Sequence, residues 1–286
     1  EYRAEQTPYR RAVRRSIKNH EMYFRAPSIG YIEPFRIYGN LYYVGDAYVC
    51  IHLVDTGEGL VLIDSGYPCS IHLLTEAIYR LGFDPHDIRY ILHTHGHYDH
   101  FGASGEYRRL YGCRLLMSRV DAELLREKPE LALTSYSGLP YIYVPEFEGV
   151  LEDGGAFTLG NLIVRSVLVP GHTQGALCFF FDVWDKDKAL RAALFGGVGA
   201  GTLHRSYLTE YGRPLTLQRD FLDSLEKVRP QRVDITLGNH PGNNDTLGKR
   251  ARRQQEGGNP FIDPSEWVYF LSATREKFIG LFAGEK

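Results

Sequence analysis

Residues 92–100 read Leu92-His93-Thr94-His95-Gly96-His97-Tyr98-Asp99-His100, and no other stretch restricts the fold so strongly. Four side chains able to ligate a metal, those of His95, His97, Asp99 and His100, fall within six consecutive positions just after the short apolar strand predicted for Arg89 to Leu92. Residues two apart on an extended chain point the same way, so His95 and His97 converge on one ion. Asp99 and His100 stand where the chain turns toward a helix, and they face a second ion beside the first. Imidazole and carboxylate both suit zinc. A single histidine is usually a satisfied structural residue; a run this dense argues for a metal centre.

Two further histidines sit in turn contexts. His172 lies in Val169-Pro170-Gly171-His172-Thr173, and His240 in Leu237-Gly238-Asn239-His240-Pro241-Gly242. Each follows an apolar strand, and the glycines permit close backbone approach. With these two, each ion receives three protein ligands and keeps a position for water, the pattern of catalytic rather than structural zinc.

The remaining sequence supplies the frame. A chain of 286 residues that is 43% hydrophobic can build a large core within one unit. The formal net charge of −2 gives no global attraction to nucleic acid or to an anionic membrane. No apolar run is long enough to span a bilayer, so no membrane insertion is expected; the expected partner is a small-molecule substrate. Residues 1–33 form an N-terminal helical extension, with a basic helix predicted over 8–24; its arginines read as a solvated face. Residues 34–245 carry the main domain, and 246–286 a loop and a helix packed on it. Within the domain short strands and helices alternate, the helices near 70–82, 103–111, 119–127 and 215–228, and 129–149 is irregular. Gly248 to Pro260 reads as a surface loop, and Asp263-Pro264-Ser265-Glu266 as the start of a last helix. Strands followed by helix, twice over, predict two mixed sheets packed face to face with helices outside. Cys50, Cys69, Cys113 and Cys178 show no metal-type spacing, and Cys50 and Cys178 read as small buried hydrophobes.

Four landmarks, in order and spacing, make the chain similar to the metallo-β-lactamase superfamily over roughly residues 34–245. They are Leu62-Ile63-Asp64-Ser65-Gly66, the histidine run, Pro170-Gly171-His172-Thr173 and Leu237-Gly238-Asn239-His240-Pro241. The resemblance implies an α/β fold, the four-layer αββα sandwich, with the site at one edge between the sheets. It implies that His95, His97 and His172 hold one zinc, that Asp99, His100 and His240 hold the other, and that Asp64 orients a ligand histidine. Many superfamily hydrolases carry a bridging aspartate where this chain has Leu194-Phe195-Gly196-Gly197-Val198-Gly199, and two β-lactamase subclasses use a cysteine ligand absent here. The chain is most similar to the third subclass, whose second site is Asp-His-His. The implied activity is opening of a β-lactam ring by water activated between two zinc ions, with Asp99 as catalytic residue. The alternatives are a lactone or ester hydrolase and an iron-dependent oxygenase on the same scaffold. Substrate contacts are expected from Ser206 or Arg205, standing in for serines that subclass members place near Val198, and from Tyr143, with Tyr136 and Tyr141, in the irregular segment. The resembling enzymes are exported and the chain opens on Glu1, so export is expected, with a cytoplasmic location as the alternative.

Overall fold

Alternation of side chains across two sheets builds the core. The computed structural model describes residues 7–133 and 143–284. Strands β1 (Phe35–Tyr38), β2 (Leu41–Tyr43), β3 (His52–Asp55), β4 (Leu60–Ile63), β5 (Ile88–Leu92) and β6 (Arg114–Leu116) form the first sheet in that order. Pairing is antiparallel as far as β4 and parallel from β4 to β6. The second sheet contains β7 (Ala156–Leu159), β8 (Leu162–Leu168), β9 (Leu177–Asp185), β10 (Lys188–Leu194) and β11 (Ile235–Leu237), in the order β11-β10-β9-β8-β7. Only β10 and β11 run parallel there.

Period-two alternation sends Val61 and Ile63 of β4 and Leu177, Phe179 and Phe181 of β9 into one apolar layer between the sheets. Their neighbours Leu60 and Leu62 face the other way, onto α2 (Ile71–Arg80) and α4 (Ser104–Tyr111) through Leu74, Ile78 and Tyr107. On the far side, Cys178 and Phe180 of β9 join Phe221 and Leu225 of α7 (Leu217–Val228) and Trp267, Phe270 and Phe278 of α9 (Glu266–Ala283). The layers are therefore helix, sheet, sheet, helix, as the sequence predicts. Trp267 donates its indole N–H to Val228 O at 3.1 Å, which pins α9 to α7. The N-terminal helix α1 (Pro8–Arg25) belongs to the same core through Tyr9, Val13 and Tyr23. Thr7 caps it, and Pro8 stands in its first turn.

Two local expectations are corrected. Residues 246–256 are not a loop but a helix, α8 (Thr246–Glu256). Only Thr246 and Lys249 of it are buried, so no apolar stripe marks it, while its Lys, Arg and Gln residues are good helix formers. The apolar run from Tyr48 to Val54 predicts a strand along its whole length, but β3 starts only at His52. Residues 46–49 form a turn instead, held by the Asp46 carboxylate, which accepts the N–H groups of Tyr48 and Val49 at 2.8 and 2.9 Å. All four cysteines are free thiols, with Cys50 and Cys178 buried as expected.

Candidate metal centre

Every segment of the site leaves the C-terminal end of a strand at one edge of the sandwich. Residues 93–100 follow β5, 64–66 follow β4, and 238–240 follow β11; residues 169–176 join β8 to β9. Crevices at the carboxyl ends of strands are where layered α/β folds collect ligands. Leu177 N–H donates to Thr94 O at 2.8 Å, tying the second sheet to the histidine run. Past His97, whose backbone is extended, α3 (Tyr98–Phe101) opens and carries Asp99 and His100.

Six side chains meet there as two groups, His95 with His97 and His172, and Asp99 with His100 and His240. Within each group the ligand atoms all lie within 4.8 Å of one another. His172 came from 75 residues downstream of His97, yet its Nε2 stands 3.0 Å from His97 Nδ1. Asp99 Oδ2 lies 3.5 Å from both His100 Nε2 and His240 Nε2.

The far nitrogen of each ring shows which atom is free to coordinate. His172 Nδ1 donates to Gly199 O at 2.9 Å, and His240 Nδ1 to Tyr48 O at 2.8 Å. His100 Nδ1 meets Asp64 Oδ2 at 2.9 Å. Each of these bonds turns Nε2, with its lone pair, toward the other ligands. His95 Nε2 is buried with no hydrogen-bond partner. Convergent lone pairs and a carboxylate oxygen with no donor between them fit a cation in each group, and nitrogen with one oxygen suits zinc.

Electrostatics agree. Burial, reinforced by the neighbouring imidazoles, holds His95 and His97 well below the ordinary histidine range, so both are neutral. Burial likewise brings His172 down to about 4. His100 differs: burial pulls it down, but Asp99 and Asp64 outweigh that and leave it raised. Burial alone would raise Asp64, yet His100 and the Thr94 N–H hold it below its ordinary value. Asp64 accepts Thr94 N–H at 2.9 Å as well as His100, so it sets the run and one of its rings together.

The expected substrate contacts are placed differently. Ser206 Oγ accepts Tyr9 N–H at 3.3 Å, at the start of α1. Arg205 is exposed at the first position of α6 (Arg205–Glu210). Tyr143 lies against Gly105 of α4, with the Arg109 guanidinium 5.3 Å from its ring centre. None of the three lines the two cavities that border the ligand groups, one beside His97 and His172, the other beside His240. Tyr136 and Tyr141 lie outside the described residues. His93 is buried and bonded to Leu116 O and Ser104 Oγ at 2.8 and 2.7 Å, which ties it into the packing outside both ligand groups.

Sequence reasoning passed over Asp121. Its buried carboxylate accepts Gly96 N–H at 2.8 Å, Thr173 O–H at 2.6 Å and Gly175 N–H at 2.7 Å. It thereby joins the His95–His97 segment to the His172 loop. Ser118 takes the Asp121 N–H at 3.1 Å, so the Ser-x-x-Asp spacing looks like ordinary capping of α5 (Arg119–Glu127) and hides the longer reach.

Comparison with known proteins gives one family. The family model for the metallo-β-lactamase superfamily matches residues 44–183. The subclass B3 metallo-β-lactamase BJP-1 of Bradyrhizobium japonicum superposes with a TM-score of 0.78 at 27% identity, covering 90% of this chain and 96% of that one. The metallo-β-lactamase FEZ-1 of Legionella gormanii gives 0.79 at 26% identity, covering 90% and 97%. Among curated relatives, a hydroxyacylglutathione hydrolase of Anaeromyxobacter dehalogenans is 29% identical over 67% of this chain and 59% of its own length. A probable polyketide biosynthesis zinc-dependent hydrolase, BaeB, of Bacillus velezensis is 28% identical over 38% of this chain and 40% of its own. The chain thus spans about half the length of the curated relatives it matches. With its layered fold, its two ligand groups and these neighbours, the chain carries a metallo-β-lactamase superfamily domain over residues 44–183 and is similar in structure to the subclass B3 metallo-β-lactamases.

Proposed function

We propose that this protein is a two-zinc hydrolase that opens a cyclic amide, a β-lactam being the substrate class favoured. The observation that carries the reading is the pairing of a His-His-His group with an Asp-His-His group at one sheet edge. Glycines stand where a bridging aspartate would, at Gly196, Gly197 and Gly199. Likeness to B3 enzymes over nine-tenths of the chain supports the same choice.

In this reading His95, His97 and His172 hold one zinc and Asp99, His100 and His240 the other. Bound zinc would supply an acidified water near neutral pH and polarise the scissile carbonyl. Asp99, 16% exposed at its side chain, offers a second oxygen that orients the attacking water and holds its proton. Asp64, Gly199 O and Tyr48 O fix the ring planes before substrate arrives, so little reorganisation is left for the reaction. A groove of about 940 Å³ borders His240, Val198 and Gly199 and runs along α9 to Tyr269 and Lys277, a size suited to a small-molecule substrate.

A second reading, hydrolysis of a thioester or lactone, draws on the curated hydroxyacylglutathione hydrolases. The deciding experiment measures metal content of untagged protein together with turnover of a chromogenic cephalosporin, a carbapenem, a lactone and a glutathione thioester. Two zinc equivalents with preference for the lactams are expected. A single equivalent, iron in place of zinc, or preference for the thioester or lactone would reject the reading.

A further inference from the structure

Asn239 immediately precedes His240, and its buried side chain is bonded to two segments that serve the other ligand group. Its Oδ1 accepts Gly197 N–H at 3.1 Å, a donor shared with Phe195 O at 2.8 Å. Its Nδ2 donates to Thr94 Oγ1 at 3.1 Å. The backbone N–H of Gly197 can only donate, so the amide oxygen faces it and the amide nitrogen faces Thr94. Gly197 lies against His172: a Cβ built on it would stand 2.2 Å from His172 Cδ2. Thr94 immediately precedes His95, and its Oγ1 lies 3.0 Å from His95 Nδ1.

The protons around Thr94 follow from counting donors and acceptors. A hydroxyl has one proton to give and two lone pairs to fill. The Asp64 carboxylate only accepts, and it takes the Thr94 proton at 2.9 Å. Both lone pairs of Thr94 Oγ1 then meet donors, Nδ2–H of Asn239 and Nδ1–H of His95. His95 therefore carries its proton on Nδ1, and its Nε2, buried with no hydrogen-bond partner, keeps a lone pair for a metal. The same Asp64 oxygen receives His100 Nδ1–H at 2.9 Å. Through one hydroxyl and one backbone amide, Asn239 thus reaches the supports of His95, His100 and His172, while the chain joins it directly to His240.

We infer that Asn239 is a positioning residue that fixes the ring form of His95 and couples the two ligand groups, so that both zinc ions depend on one amide side chain. The inference rests on the two-zinc reading above and is independent of the substrate.

The zinc-loaded full chain is prepared with labelled histidine nitrogens, alongside Asn239→Leu, which nearly keeps the volume and loses both bonds. Melting curves are recorded for both proteins. The wild-type NMR spectrum should show His95 with a proton on Nδ1 and zinc on Nε2. In Asn239→Leu, competition with a chromophoric chelator should show both zinc equivalents held about 10–100-fold more weakly, and the His95 Nδ1 proton should exchange with water faster. Unchanged affinity at either equivalent overturns the inference. If Asn239→Leu fails to fold, the wild-type spectrum still decides: zinc on His95 Nδ1, or an Asn239 side-chain amide that exchanges as fast as exposed ones, overturns it. Wild-type protein holding fewer than two zinc equivalents would sink the two-zinc reading and the inference with it. Two equivalents indifferent to Asn239 would sink the inference alone.

Discussion

Asp64 keeps a left-handed backbone, φ 62°, which a residue with a side chain holds only when its surroundings over-determine it. The reason is visible in its contacts, since its carboxylate must reach Thr94 and His100 at once. Asp99 works in the open part of the site, equidistant from His100 and His240 at 3.5 Å. Asp99→Asn keeps its shape but loses the charge, and it should lower hydrolysis by more than about 10²–10³-fold, beyond His240→Ala, because one neutral ligand is partly replaced by water. The comparison is made on the best substrate at saturating zinc; a variant with both ions bound and most of its rate intact would show that Asp99 does not orient the nucleophile. A second prediction concerns His52, buried on β3 with no partner for Nδ1 and brought down to about 4 by burial. In the unfolded chain its pKa is about 6.5, so the unfolded state binds more protons between those values and stability falls as pH drops from about 6.5 to 4. The full effect is at most about 3 kcal/mol, and His52→Phe should remove it. Urea unfolding of both proteins in the same zinc state should show their stability difference shifting toward the variant over that window; a difference independent of pH would reject the assignment.

At the scale of elements, α5 and the loop at 171–175 are coupled through one side chain. Asp121 accepts from Gly96, Thr173 and Gly175 with its two carboxylate oxygens, and a Cβ at Gly175 would overlap Ser118 and Asp121. Asp121→Ala should therefore weaken zinc binding at the three-histidine group by about 10–100-fold, as loss of such supporting contacts does elsewhere, while the Asp-His-His group keeps its affinity. Competition with a chromophoric chelator resolves the two equivalents; unchanged affinity at both would mean that α5 does not hold the loops together. The helix itself was legible near residues 119–127, but nothing in its local sequence shows that Asp121 reaches two distant loops. By contrast α8 was not legible, because a helix lying on the surface with two buried residues leaves no periodic trace.

Over the whole molecule, the N-terminal helix is part of the support of the metal centre. Tyr23 of α1 donates its hydroxyl to Asp46, Asp46 holds the turn at Tyr48, and Tyr48 O receives the His240 N–H. Tyr23→Phe leaves the buried Asp46 carboxylate short of a donor, which should destabilise the protein by about 1–3 kcal/mol. It should also loosen the zinc held by His240, read from the same chelator titration; destabilisation without any change in zinc affinity would separate the helix from the site. What the sequence determined by itself was whatever acts over a few residues: the strand alternation that makes two sheets, the spacing that aims His95 and His97 together, and the turn that presents Asp99 and His100. Strand-end turns already marked His172 and His240 as the distant ligands, but which ion each completes was open in the residues until the family resemblance supplied it, and the fold brings them to their groups from 75 and 140 residues away. The roles of Asp121 and Tyr23, and the turning of Ser206 toward Tyr9, were decided only by tertiary packing. Local periodicity cannot encode them, because contacts between loops depend on how the sheets stack, and closing a loop costs little more when the chain between is long.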